Sequence, residues 1–220
     1  MGQSVSGVGV LDKSVAVLDT VAASAAGCTL ADLVTATGIS RATAHRLAVA
    51  LAAHGLLRRS DDGRFALGFR LVGLGHAAAE GWPLAEAARP ALEALRDETG
   101  ESVQLYVRDG AHRVCVVSLE SPHELRTIVA EGGRLPLAVG SAGRLLRGEL
   151  SPSGWTASVE ERAPGVASVS APVVDARSGA LVAAVGISGP IGRLGTDPGE
   201  RFGPAVAAAA HRIATTLASA

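Results

Sequence analysis

Between Ser40 and Arg64 the chain gathers side chains suited to gripping a polyanion. Ser40, Arg41, Thr43, His45 and Arg46 crowd one short stretch, and Arg58, Arg59 and Arg64 follow on either side of Asp61-Asp62-Gly63. Hydroxyls bond phosphate oxygens, and guanidinium groups neutralise phosphates or fork onto guanine. Six arginines fall between Arg41 and Arg70 against two aspartates, although the formal net charge of the whole chain is only -1. The basic character is local, and a local basic face is the electrostatic footprint of a nucleic-acid contact. Residues 1–76 are net basic and the remainder net acidic.

These side chains need a scaffold, and the apolar periods supply one. Ala44, Leu47, Ala48 and Leu51 stand at i, i+3, i+4 and i+7 of a helix. That spacing turns Arg41, Ala42, Thr43, His45, Arg46 and Val49 outward, mostly near the N-terminal end, where a recognition helix meets the major groove. Ser40 is placed as its N-cap, and His54-Gly55 ends it. Upstream, Thr29-Leu30-Ala31-Asp32 has capping-box form and opens a short helix that Gly38 stops. Before that, Val10, Ser14, Val17, Leu18 and Val21 lay a stripe along a helix over 11–23. Strands at 56–59 and 64–67 flank the Asp-Asp-Gly turn. The order is that of a winged helix-turn-helix over 10–68, after a Gly/Ser-rich tail at 1–9. A linker helix over 69–82 runs to Gly81-Trp82-Pro83, which marks a boundary.

Residues 83–220 change character. A helix over 83–99 precedes strands at 102–108, 112–119, 126–131, 167–174 and 181–188, and a helix over 204–218 closes the chain. This half is α+β, with a largely antiparallel sheet flanked by helices. The 220-residue chain is 48% hydrophobic, enough to fill its cores, but only 3% aromatic. Any pocket is therefore lined by small aliphatic residues and serine rather than by stacking rings.

Other classes fare poorly. No apolar run reaches the roughly 18 residues of a membrane span, and the start of the chain lacks the pattern of a signal peptide. Cys28 and Cys115 lie far apart without CxxC spacing, so reduced thiols and a cytoplasmic setting are expected. The Gly140-Ser141-Ala142-Gly143 turn is not a G-x-S-x-G elbow, and no P-loop appears. His112 and Cys115 form an isolated H-x-x-C that reads as strand packing. No catalytic residue, metal or cofactor is expected.

The motifs resemble, in their combined order, the regulators of the IclR type. The resemblance is carried by Leu11-Asp12-Lys13-Ser14-Val15-Ala16-Val17-Leu18, by Thr29 to Leu33, by Gly38-Ile39-Ser40-Arg41-Ala42-Thr43-Ala44-His45-Arg46-Leu47 and by His54-Gly55-Leu56-Leu57. It continues through Phe65 to Gly68, Gly132 to Leu137, Gly140 to Leu146, Gly165 to Val173 and Ile187 to Pro190. It implies a transcription regulator, a repressor or activator, that binds a double-stranded DNA operator, with Thr29 added to the contacts above. It further implies a GAF-like C-terminal domain that takes a small organic acid or aromatic catabolite, and a homodimer or tetramer. Carried over by position, the ligand site comprises Leu135, Ser141, Ala142, Ser158, Val166, Ser168, Gly186 and Ser188. Ser158, Ser168 and Gly186 depart from the family's more usual polar choices. Arg147 to Gly154 replaces a much longer helical stretch, which implies altered effector sensing. The helix after the wing is the expected transmitter between the two domains. A protein-interaction winged helix, an effector-independent regulator with a degenerate pocket and an enzyme on a GAF-like scaffold stand as alternatives.

Overall fold

The computed structural model describes residues 7–80 and 83–219. The chain divides into two compact units, Met1–Trp82 and Pro83–Ala220. Most of the Gly/Ser-rich start, and the Gly81-Trp82 boundary signal, lie outside the described residues.

In the first unit, α1 (Gly9–Ala22), α2 (Leu30–Thr37) and α3 (Arg41–Ala53) precede the hairpin β1 (Leu57–Arg59) and β2 (Phe65–Leu67), and α4 (Arg70–Glu80) follows. One apolar cluster holds these elements: Val17 and Val21 of α1, Leu33 of α2, Ala44, Ala48 and Leu51 of α3, and Leu57 and Phe65 of the hairpin. The first helix starts two residues earlier than its stripe predicted, and Val10, placed in that stripe, is exposed. Its N-terminal part therefore contributes nothing to the core. Thr29 forms the capping box: its Oγ1 accepts from Asp32 N at 3.2 Å, and its own N–H donates to Asp32 Oδ2 at 2.8 Å. Gly38 ends α2 in the left-handed region at φ 67°, which turns the chain into α3.

The wing is tied back to the helices. Cys28 and Phe65 exchange both backbone hydrogen bonds, at 2.9 and 2.7 Å, so the segment before α2 lies along β2. Gly68 leaves the wing so close to Gly55 that a Cβ there would overlap the Gly55 carbonyl.

In the second unit, α5 (Leu84–Thr99) precedes β3 (Ser102–Asp109), β4 (His112–Leu119) and β5 (Arg134–Pro136). Then come α6 (Ser141–Leu146), β6 (Thr156–Val159), β7 (Val166–Val174), β8 (Leu181–Pro190), α7 (Ile191–Leu194) and α8 (Pro198–Ser219). The strands form one sheet in the order β5-β4-β3-β8-β7-β6, with every neighbouring pair antiparallel. The alternation of side chains makes its two faces chemically distinct. Val103, Leu105, Ala167, Val169, Ala171, Ala183, Val185 and Ile187 pack with α5 and α8. Gln104, Ser168, Ser170, Gly186 and Ser188, of the opposite alternation, face the side that carries α6.

Several features differ from the sequence reading, among them the short elements β5 and α7, which it did not assign. No strand forms at 126–131; instead Glu131 Oε1 accepts from Ser118 N at 3.0 Å, and Cys115 exchanges bonds with Gly132 and Gly133. A side chain and two glycines thus satisfy the β4 edge there. Gly140-Ser141-Ala142-Gly143, expected as a turn, opens the helix α6, and 156–159, unassigned in sequence, is the edge strand β6. The last helix begins at Pro198, where a missing N–H costs nothing, and Pro204 lies inside it.

Candidate nucleic-acid interface and ligand pocket

The outer side of α3 carries the exposed residues Arg41, Ala42, His45 and Arg46, while Thr43 is half-buried. Ser40 stands at the N-cap position, but its hydroxyl makes no capping bond to the backbone and pairs with Thr43 Oγ1 at 3.0 Å. The sequence expectation of a side-chain cap is corrected here. The helix holds its angle through the buried face, which leaves both hydroxyls as an exposed polar pair at its start.

Thr29, Leu30, Arg41, Ala42, His45, Arg59, Asp62 and Gly63 line one concave surface between the start of α2, the start of α3 and the wing. Among the described residues, the side chains of Arg41, His45 and Arg46 take part in no hydrogen bond or ion pair. Arg58 lies 5.8 Å from the Phe69 ring centroid, and Arg59 lies 5.8 Å from that of Phe65. Arg64 differs from all of these. It ion-pairs with Asp62 at 3.3 Å and with Asp32 at 3.9 Å, and Nη1 donates to the Gly27 carbonyl at 3.4 Å. Hydrogen bonds from Thr29 hold Asp32 below the ordinary carboxylate range, and one from Ser60 does the same for Asp62, so both stay ionised beside it. Arg64 thus braces the wing, whereas Arg41 and Arg46 stand open to a partner.

In the second unit, a small pocket lies over the polar face of the sheet, beside α6. Gln104, Tyr106, Ser141, Ala142, Arg162, Ser168, Ser170, Gly186, Ile187 and Ser188 line it. Ser141 Oγ bonds both Ser168 Oγ and Ser170 Oγ at 2.8 Å, and Ser158 Oγ bonds Ser168 Oγ at 3.0 Å. Ser188 Oγ donates to Gln104 Oε1 at 2.9 Å, while Gln104 Nε2, deeply buried, has no partner among the described residues. An orphaned buried amide is costly, and it marks a position where an acceptor would be held firmly. A Cβ at Gly186 would overlap Ser170 Oγ, so the glycine makes room for the serine network.

Of the positions carried over from the resemblance, Ser141, Ala142, Ser168, Gly186 and Ser188 come together in the lining, and Ser158 joins through its bond to Ser168. Leu135 packs instead against the apolar cluster of Cys115 and Leu145, and Val166 stands at the entry of β7 outside the lining. Gln104, Tyr106, Arg162 and Ser170 were not singled out in sequence. Period-2 alternation from Ser168 and Ser188 reaches Ser170, but only sheet pairing brings Gln104 opposite Gly186. Arg162 sits in the loop after β6, which Glu160 closes by accepting from Gly165 N at 2.7 Å. The backbone of the glycine turn is already in use: Gly140 N donates to Glu161 Oε2 at 2.9 Å. His112 and Cys115 fall on opposite faces of β4, one exposed and one buried. Burial pushes the Cys115 thiol up to about 12.

A tri-helical unit with a cationic outer helix and a tethered wing defines a winged-helix DNA-binding protein, here followed by a sheet unit with an enclosed polar pocket. Comparison with known proteins agrees with both halves. The IclR helix-turn-helix domain matches residues 10–61, and the bacterial transcriptional regulator IclR C-terminal domain matches 76–151 and 148–215. The chain belongs to the IclR family of bacterial transcriptional regulators. It is 24% identical to the transcriptional repressor IclR of Escherichia coli over 92% of this chain and 88% of that protein. It is 34% identical to the regulator KipR of Bacillus subtilis over 53% of this chain, a match that spans 46% of that relative. The fold is shared with an IclR homologue from Microbacterium hydrocarbonoxydans complexed with 4-hydroxybenzoate, at TM-score 0.79 and 22% identity over 96% of this chain and 100% of that one.

Proposed function

We infer that the protein represses transcription by occupying an operator through α3 and the wing, and that a small organic acid in the second unit changes its affinity for DNA. The observation that carries this reading is the placing of Thr29, Arg41, Ala42, His45 and Arg59 on one concave surface on which the Arg41 guanidinium has no internal partner. Ser40, Thr43 and Arg46 extend the contact along α3, and Arg58 extends it along the wing. Arg64 supports the wing and contributes charge second. The protein acts in the cytoplasm by binding rather than by catalysis. No described helix is long and apolar enough to cross a membrane.

Two further features support the reading. Val10, Leu11 and Val15 of α1 and Val72 and Leu74 of α4 are among the exposed apolar residues of the first unit. A homodimer that covers them would present two recognition helices to a two-fold operator. In the pocket, Arg162 is the cation and no carboxylate contributes to the lining. With the orphaned Gln104 amide and the serine hydroxyls, this suits a carboxylate. The ligand set is then Ser141, Ala142, Ser158, Ser168, Gly186 and Ser188, joined by Gln104 and Arg162.

The test is binding of the purified protein to DNA from upstream of its own gene, against random competitor, at two salt concentrations. Specific binding that weakens by about 0.9 log unit per released phosphate per decade of salt, and fails in Arg41→Ala and Arg46→Ala, is the expected result. Equal binding to competitor by both the parent and these variants would sink the operator reading.

A further inference from the structure

Beside the serine network the pocket face of the sheet turns apolar, and Tyr106 stands at that border: it lines the pocket and belongs to the cluster of Leu137, Ala142 and Leu145. It pairs in register with Ala184 of β8 and Cys115 of β4, two small neighbours, at a point where the β3–β4 register shifts between Leu105 and Tyr106. The side chain is 6% exposed, and the Arg113 guanidinium covers the ring at 5.3 Å from its centroid. Arg113 is itself buried and held by the carbonyls of Pro136 and Val139, so the ring is fixed from above. With Tyr106 in place, the space left among Gln104, Ser141, Ser168 and Ser188 is about 20 Å³. That is room for about one water, whereas an apolar cavity known to take benzene measures about 150 Å³.

We propose that Tyr106 occupies the place a ring-bearing effector would take, so that the pocket is closed to aromatic ligands. The proposal rests on reading this pocket as the effector site. Burial holds the Tyr106 hydroxyl far above its ordinary range, so the plug is a neutral phenol that brings no charge needing compensation. Part of the hole left by its removal would persist, because surrounding side chains relax only partially into such a space and Arg113 is tethered at two carbonyls. It would open toward the Gln104 amide, which supplies a donor to an incoming hydroxyl or carboxylate.

The experiment titrates phenol and benzoate into the full-length protein and its Tyr106→Val variant, followed by calorimetry and thermal unfolding. The variant is expected to bind phenol at least about tenfold more tightly than the parent, the factor supplied by about 1.4 kcal/mol of ring burial. It should recover thermal stability as the ring site fills. Parent and variant binding phenol or benzoate equally would overturn the proposal, as would a variant with the parent's circular dichroism that binds neither. Should Tyr106→Val not fold, Tyr106→Leu is put through the same measurements with the same two outcomes. Phenol that fills the variant without changing its affinity for upstream DNA would leave the size gate standing and remove the effector reading of the pocket.

Discussion

The two candidate binding surfaces of this chain are made in opposite ways. The surface proposed for DNA takes its side chains from a short run of sequence, on elements each shaped by local signals, and keeps the Arg41 and Arg46 side chains exposed. The pocket draws on β3, α6, the loop after β6, β7 and β8, buries its polar groups, and relies on neutral hydrogen bonds among serines. Long-range electrostatics suits a partner that is itself a dense polyanion. A small ligand offers few contacts, so its site needs enclosure and fixed polar groups.

That contrast can be broken most strongly at α3. Exchanging both Arg41 and Arg46 for alanine removes two contacts worth about 1–3 kcal/mol each, so operator affinity measured by gel shift should fall by one to several orders of magnitude. Arg64→Ala is the control, since its guanidinium is engaged by Asp32, Asp62 and Gly27. An equal loss of affinity there would erase the distinction between contacting and bracing arginines.

In the pocket, Ser168→Ala removes the hydroxyl that links Ser141 to Ser158. Buried polar groups left without a partner cost about 1–3 kcal/mol, and chemical denaturation of the second unit should show a loss of that size while DNA contacts remain. An unchanged midpoint would mean that the network contributes nothing to folding.

Burial also makes this unit sensitive to alkali. Cys115 is raised from 9.0 to about 12, and Tyr106 is raised as well. In both cases the folded state retains a proton that the unfolded state loses. The stability they contribute is whole below the unfolded pKa and declines as pH rises toward the folded one. For the thiol the window is pH 9 to 12, with a slope approaching about 1.4 kcal/mol per pH unit. Cys115→Ala should flatten that decline in urea melts taken between pH 9 and 10. The smallest effect is expected at Thr29→Ala, which opens the capping box at a cost of about 1 kcal/mol, and Thr29→Ser should retain most of it.

How far each surface could be read in advance follows the same divide. The capping box at Thr29, the Gly38 stop, the Asp-Asp-Gly turn and the buried face of Ala44, Ala48 and Leu51 depend on neighbours a few residues away, so their spacing is legible in the chain. In the second unit the long strands and the helix over 84–99 were legible for the same reason. The segment at 126–131 was misread because Glu131 and a pair of glycines satisfy the β4 edge, and α6 was read as a turn because its glycines and serine mimic one. The shortened stretch after Leu146 was visible in sequence, but the filling of the pocket by Tyr106 was not.

By itself, the sequence determined the order of elements in the first unit, the cationic helix and the hydroxyl-rich composition of the pocket, because hydrophobic period, capping chemistry and turn residues act over a few positions. Only the tertiary structure decided which arginine braces and which reaches outward, and which serines meet. It also placed Gln104 opposite Gly186 and Tyr106 between Ala184 and Cys115. Those outcomes depend on strand register and on packing between distant segments, where a shift of one residue turns every side chain to the other face.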